Sequence, residues 1–243
     1  MKTERPHIIC LMMTSIDGKI LGDNWGEDPG VKKHTKKYEE VHEKIGIKAW
    51  IVGRTTMEKD FTFFEKAVHK TGEHQLDRND FVANADADTY AIAVDSHARL
   101  GWKNAVLHGD HVITILTEKV ADSYLAHLRD IGVSYIFAGK SNLDLKLAVQ
   151  KLYALFHIEE LMLEGGGHLN GSFLDLGLVD EVYQVLLPLI DGTENTSTFF
   201  DKAKADKQNA STLLKLEEVS KLEDDTLLLR YTFNKAIKKY RSH

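Results

Sequence analysis

Apolar side chains in this chain come in short, nearly continuous runs. Six of them, at 8–14, 49–53, 90–94, 112–116, 133–138 and 160–163, have Gly or polar residues at their ends. Nearly all-apolar runs of that length predict strands covered on both faces. Between them the apolar positions recur at helical spacing. Tyr38, Val41 and Ile45 form one stripe, Val120, Tyr124, Leu125, Leu128 and Ile131 a second, and Leu145, Val149, Leu152 and Leu155 a third. Such alternation makes right-handed parallel crossovers the default. The last part of the chain differs: 180–187, 213–219 and 226–233 read as strands, with no helical pattern between the last two. A polar stretch at 191–211 precedes them, and loops this long are usually functional or mobile. The expected architecture is α/β, a mostly parallel central sheet ending in antiparallel strands. With 3 prolines and no Gly/Ser/Pro-rich linker, residues 1–243 read as one domain.

Composition narrows the function classes. The chain has 243 residues, with 31 basic and 37 acidic side chains and a formal net charge of −6. A nucleic-acid or anionic-membrane binder would want a net basic face, so neither partner is expected. The single cysteine, Cys10, can form no internal disulfide and no thiolate zinc cage. No signal-peptide pattern or long apolar span occurs, and a cytoplasmic location is the expectation.

Three segments could carry chemistry, each at the carboxyl end of a predicted strand, where open α/β sheets bind ligands. In Leu161-Met162-Leu163-Glu164-Gly165-Gly166-Gly167 a buried strand enters three consecutive glycines, and a helical pattern with Leu169, Phe173 and Leu174 follows. Absent Cβ atoms let backbone N–H groups approach a phosphate, and a helix N-terminus adds its positive dipole end. One glycine would satisfy a tight turn; three favour an anion site. Val52-Gly53-Arg54-Thr55-Thr56 again ends a strand in Gly, with a guanidinium fork for phosphate and hydroxyls at a helical turn. Val94-Asp95-Ser96-His97 is the third, where Ser96 either bonds a phosphate or caps a turn.

Taken with a fourth segment, Ser15-Ile16-Asp17-Gly18-Lys19-Ile20, and with Leu178-Val179-Asp180-Glu181 and Pro188-Leu189-Ile190-Asp191-Gly192, these occur in an order that resembles one family. The chain is similar to the reductase domain of the bacterial bifunctional riboflavin-biosynthesis deaminase-reductase. That resemblance implies the dihydrofolate-reductase-like fold, a three-layer sandwich, and NADPH-dependent hydride transfer to 5-amino-6-(5-phosphoribosylamino)uracil or a related small heterocycle. It implies cofactor contacts from Gly53, Arg54, Thr55 and Thr56 to phosphates, from Ser96 near the ribose 2′-phosphate, and from Gly165, Gly166 and Gly167 to the pyrophosphate. On the substrate side it points to Ser15, Asp17 and Asp60, with Asp17, Asp60 and Glu164 as catalytic carboxylates. A homodimer is also implied. The alternatives are a dihydrofolate or pteridine reductase and a nucleotide-binding protein of the same fold without turnover.

The chain departs from the family in two respects. One cysteine cannot build the deaminase half's zinc site. The family's substrate-phosphate arginine, expected after an Asp-Pro step, is missing from Asp60-Phe61-Thr62-Phe63-Phe64. That departure leaves room for a different, even unphosphorylated, carbonyl, imine or pteridine substrate, with the three phenylalanines lining a pocket or, more simply, packing in the core. Other local signals are weak. Gly139-Lys140-Ser141 lacks the first glycine of a P-loop, His108 and His111 have no third ligand, and basic 235–241 reads as a solvated end.

Overall fold

Each of the six apolar runs forms a strand in the computed structural model, which describes residues 4–20, 25, 29–73, 75–202 and 211–233. In chain order the elements are β1 (His7–Thr14), α1 (Pro29–Ile45), β2 (Ala49–Gly53), α2 (Arg54–Thr56), a π-helical turn (Met57–Phe61), β3 (Tyr90–Val94), β4 (Val106–Leu107) and β5 (Asp110–Leu116). There follow α3 (Asp122–Asp130), β6 (Ser134–Phe137), α4 (Leu145–Phe156), β7 (Glu160–Leu163), α5 (Gly167–Asp175), β8 (Glu181–Leu186), β9 (Leu214–Lys221) and β10 (Leu227–Phe233). The basic stretch 235–241 and positions 203–210 of the long loop lie outside the described residues. Among the described residues no helix is long and apolar enough to cross a membrane.

The chain divides into two compact units. Met1–His7 with Lys48–Met162 makes the first, and Ile8–Ile47 with Leu163–His243 makes the second. In the first, the strand order is β4-β5-β3-β2-β7, with β6 also beside β5. The pairs β2/β3, β3/β5 and β5/β6 are parallel. All five residues of β3 are buried, as a strand flanked on both sides and covered on both faces requires. The α4 stripe buries Leu145, Ala148, Val149, Leu152 and Phe156. Asp144 caps that helix by accepting from the N–H groups of Lys146 and Leu147 at 3.0 and 3.1 Å. Periodicity alone missed β4, because two residues carry no period. It arises from the β4–β5 hairpin, where His108 and Gly109 both take positive φ (53° and 104°), the geometry of a two-residue hairpin turn.

In the second unit β1 runs parallel to β8, and β8, β10 and β9 continue antiparallel. The observed sheet is thus mixed, mostly parallel with antiparallel strands at its end. Asp180 Oδ2 accepts the Ile8 N–H at 2.9 Å and Gln184 Nε2 donates to Thr14 Oγ1 at 2.8 Å, fastening the two ends of the β1/β8 pair. β9 is the least covered strand, with Leu214, Leu216 and Val219 at 37%, 49% and 53% exposure.

Candidate active site

In the first unit, the register Gly53↔Val94 puts the carboxyl ends of β2 and β3 side by side. The two segments that leave these strands, Arg54–Thr56 and Asp95–His97, are therefore neighbours. The Arg54 guanidinium forms an ion pair with Glu58 one helical turn on. Asp95 is fully buried: its Oδ2 accepts the N–H groups of Arg99 and Leu100 at 2.6 and 2.8 Å, while Oδ1 has no hydrogen-bond partner. Burial pushes its carboxyl up, against the pull of those two N–H groups and of Arg54. Ser96 is anchored through its carbonyl, which accepts from Thr117 Oγ1 at 2.7 Å, and its hydroxyl lies 2.8 Å from His97 Nδ1. A fixed backbone carrying a hydroxyl, an imidazole and, from the neighbouring segment, a guanidinium is an arrangement that can receive a phosphate once Arg54 exchanges Glu58 for it.

Asp60 sits on the π-helical turn and is exposed. Of the aromatic trio, Phe61 stacks against Trp50 with ring centroids 4.9 Å apart, whereas Phe63 and Phe64 are 74% and 64% exposed. Of the three, Phe61 alone turns inward, half-buried against Trp50, and none of them is in the core. The reason is backbone: both Phe63 and Phe64 take positive φ (50° and 60°) as the chain leaves the π-turn, which directs them outward. His111 is spent on the Ser134 hydroxyl at 2.8 Å, and among the described residues no cluster of three or more His, Cys, Asp or Glu is placed to hold a metal.

In the second unit, Glu164 leaves β7 with an almost buried side chain (11% exposed). Two α1 side chains one turn apart meet it: Tyr38 donates its hydroxyl to Oε1 at 2.7 Å, and His42 Nδ1 lies 2.8 Å from the same oxygen. Burial, then the Glu164 charge, pushes the phenol of Tyr38 and the thiol of Cys10 well up. Sequence reasoning assigned Tyr38 to an apolar stripe and passed over His42. The available signal was the i, i+4 spacing of two polar-tipped aromatic side chains on a helix facing a strand that ends in Glu.

The glycine turn divides in its duties. Gly165 takes φ 94°, and a Cβ there would meet the Met12 thioether at 3.1 Å. A Cβ on Gly167 would land on the Thr198 carbonyl and the Asp201 carboxylate, and one on Gly171 on the Asp201 backbone. The segment 198–201 is held there by Asp201 N–H donating to the Gly167 carbonyl at 2.9 Å and Asn170 Nδ2 donating to the Phe199 carbonyl at 2.9 Å. Gly167 is thus required by the chain's own packing. Asn170 is fully buried, and its Oδ1 has no partner.

Asp17 is a loop anchor. Its two oxygens accept the N–H groups of Asp191 and Gly192 at 3.0 and 2.9 Å, and these bonds hold its carboxyl far below the usual carboxylate range. Asp191 in turn accepts from Trp25 Nε1 and Thr193. The described part of the 191–211 loop is pinned in this way. Ser15 closes the same turn, its Oγ accepting the Lys19 N–H at 3.0 Å. A carboxylate committed to two backbone donors serves poorly as a proton donor.

A family model described as the RibD C-terminal domain matches residues 6–228. The chain is 28% identical over 229 residues to the 2,5-diamino-6-ribosylamino-4(3H)-pyrimidinone 5′-phosphate reductase of Methanothermobacter thermautotrophicus, covering 94% of this chain and 98% of that one. Its similarity to the enzyme of the same name from Aquifex aeolicus is 26% over 198 residues, 80% of this chain and 82% of the relative. Among solved structures, Acinetobacter baumannii RibD superimposes with a TM-score of 0.67 at 19% identity, over 96% of this chain. This chain spans 59% of that one's length.

Proposed function

Because the chain belongs to the RibD C-terminal domain family, we propose that it is a reductase of riboflavin biosynthesis acting on 2,5-diamino-6-ribosylamino-4(3H)-pyrimidinone 5′-phosphate. The observation that carries this reading is the near end-to-end match to a reductase of that name, over 98% of its length. The 5-amino-6-(5-phosphoribosylamino)uracil of the sequence-based expectation differs at pyrimidine position 2, carbonyl in place of amino, and is the comparison substrate. Purified protein with NADPH should oxidise the cofactor on adding the diaminopyrimidinone phosphate, faster than with the uracil. Turnover of dihydrofolate instead, or of neither pyrimidine, would sink the assignment.

The cofactor proposed is NADPH, and each unit's residues fit it taken by themselves. In the first unit Gly53, Arg54, Thr55 and Thr56 would hold a phosphate, with Ser96 and His97 for the 2′-phosphate; Arg54 and the backbone supply a local field that the net charge of −6 does not cancel. In the second unit Gly165, at φ 94°, and Gly166 offer backbone contacts, and Gly167 supports them by its packing. When bound, NADPH supplies the hydride. The protein's part is to orient the two reactants and to provide a proton; for that Glu164 is the carboxylate of choice, since Asp17 is held ionised by backbone donors and Asp60 is exposed.

The setting proposed is the cytoplasm, which an unpaired buried Cys10 suits. The partner proposed is a second copy. β9 ends the second unit's strand order, and on one face it aligns Leu214, Leu216 and Val219 with Phe233, Tyr231 and Leu229 of β10. An apolar edge strand pairs with its own copy about a two-fold axis without new chemistry. Sedimentation should give a dimer that Leu216→Lys dissociates; a wild-type monomer at micromolar concentration removes the proposal.

A further inference from the structure

Resting on the reductase reading above, we propose that His42 is the proton source behind Glu164, with Tyr38 as the positioning residue that fixes the carboxylate between them. Reduction of a C=N or C=O bond by a reduced nicotinamide adds hydride to carbon and needs one proton at nitrogen or oxygen. Glu164 can deliver that proton, but at 11% exposure it is poorly placed to recover another from water. His42 is the group that can. Its Nδ1 stands 2.8 Å from Glu164 Oε1, and its side chain is 30% exposed, so one end of the imidazole reaches the carboxylate while the ring still reaches solvent.

The transfer balances without any change of electrons in the protein. The imidazolium Nδ1–H gives its proton to Glu164, the carboxyl gives one to the substrate nitrogen or oxygen, and water reprotonates the imidazole. Glu164 is a carboxylate before and after, and one proton has moved from solvent to substrate. Among the described residues, the titratable groups facing Glu164 are Tyr38 and His42 from α1 and Cys10 from β1. Burial and the Glu164 charge push both the phenol and the thiol up, so neither loses a proton in the working range. That leaves His42 as the member of the set suited to exchange protons near neutrality. Tyr38 completes the arrangement. Its hydroxyl is 2.7 Å from Oε1 and 3.4 Å from the Leu11 carbonyl, so the proton goes to the carboxylate and fixes its orientation.

Two readouts on the full chain test this, one of them independent of turnover. The ring-nitrogen NMR titration of His42 should shift down by about one pH unit in Glu164→Gln, because the opposite charge that favours the imidazolium is gone. In steady-state kinetics wild-type kcat should fall as pH rises through the His42 titration. His42→Gln keeps an N–H donor and cannot titrate: kcat should drop on the order of 100-fold, with KM changed less than about threefold and the alkaline limb abolished. If Gln at 42 does not fold, His42→Asn is the substitute, and the wild-type match between NMR midpoint and alkaline limb still decides. An alkaline limb that survives in His42→Gln, or a His42 titration indifferent to Glu164→Gln, overturns the relay while leaving the reductase assignment standing. Failure of the wild-type protein to reduce either pyrimidine phosphate overturns the assignment and the relay together, even if the NMR coupling is present.

Discussion

Gly167→Ala separates two reasons for a glycine at the start of α5. The added methyl would meet the Thr198 carbonyl and the Asp201 carboxylate, so the segment 198–201 must move. That segment is tied by Asp201 N–H to the Gly167 carbonyl at 2.9 Å, Thr198 Oγ1 to Asp201 Oδ1 at 2.6 Å and Asn170 Nδ2 to the Phe199 carbonyl at 2.9 Å. Overpacking of this kind costs about 1–3 kcal/mol. Weakening one or two of the tethers adds about 1 kcal/mol each. Alanine recovers roughly 0.5–1 kcal/mol of helix preference over glycine, so the net loss is about 2–3 kcal/mol. For a chain of this size that is a fall in Tm of roughly 5–10 °C. Urea denaturation followed by circular dichroism, together with NADPH titration by nicotinamide fluorescence, reads both effects. The expected result is a lower unfolding midpoint with cofactor affinity changed less than about threefold. A wild-type midpoint combined with tenfold weaker NADPH binding would refute the packing account and return Gly167 to the anion site.

Four further substitutions probe the phosphate site, a buried imidazole and the loop anchor. Arg54→Ala should weaken NADPH binding by about 1–3 kcal/mol, whereas Glu58→Gln, which frees the guanidinium from its ion pair, should tighten it; calorimetric titration giving both the same sign would contradict the proposed role of Arg54. Burial lowers the His111 imidazole, so between its folded and unfolded values the unfolded chain binds more protons, and stability falls as pH drops below about 6.5. His111→Gln should flatten that slope in thermal scans. Asp17 has the opposite chemistry: its carboxyl is held down by the Asp191 and Gly192 N–H groups, so its stabilisation is present at neutrality and is lost as pH falls through the acid range below about 4. Asp17→Asn should be less stable at pH 7 and should lack that acid-side loss.

Strands were legible because burial on both faces leaves an unbroken apolar run, as in β3, where Tyr90–Val94 is wholly buried. The helices α3 and α4 were legible through their stripes, with errors of a residue or two at the ends. Features without a period were not: β4 exists through the His108-Gly109 turn, and the π-helical turn through the Thr62 N–H bond to the Met57 carbonyl at 2.9 Å. At the site, the adjacency of the segments that follow Gly53 and Val94 comes from parallel pairing of β2 and β3, which strand–helix alternation implies. The Tyr38–His42–Glu164 cluster depends on contacts 126 and 122 residues apart in sequence, and no local pattern encodes such a distance. Gly167 has a second reason to be glycine that no local pattern carries, because the crowding at its Cβ position comes from residues 198–201.

Asp17 and Glu164 carry the same functional group, and their surroundings assign them opposite duties. Asp17 receives two backbone N–H groups, donors that never titrate, and protonating it would release Asp191 and Gly192. A group bound in that way is useful only while it stays charged. Glu164 faces two side chains instead, the Tyr38 hydroxyl that donates to it and the His42 imidazole, and in the proposed relay His42 gives up its proton and regains it from solvent without any backbone moving. A proton can therefore pass through Glu164 at no cost in fold, whereas one passing through Asp17 would loosen the 191–192 turn. The identity of the donors, more than the identity of the acid, is why the proposed relay runs through Glu164 and not through Asp17.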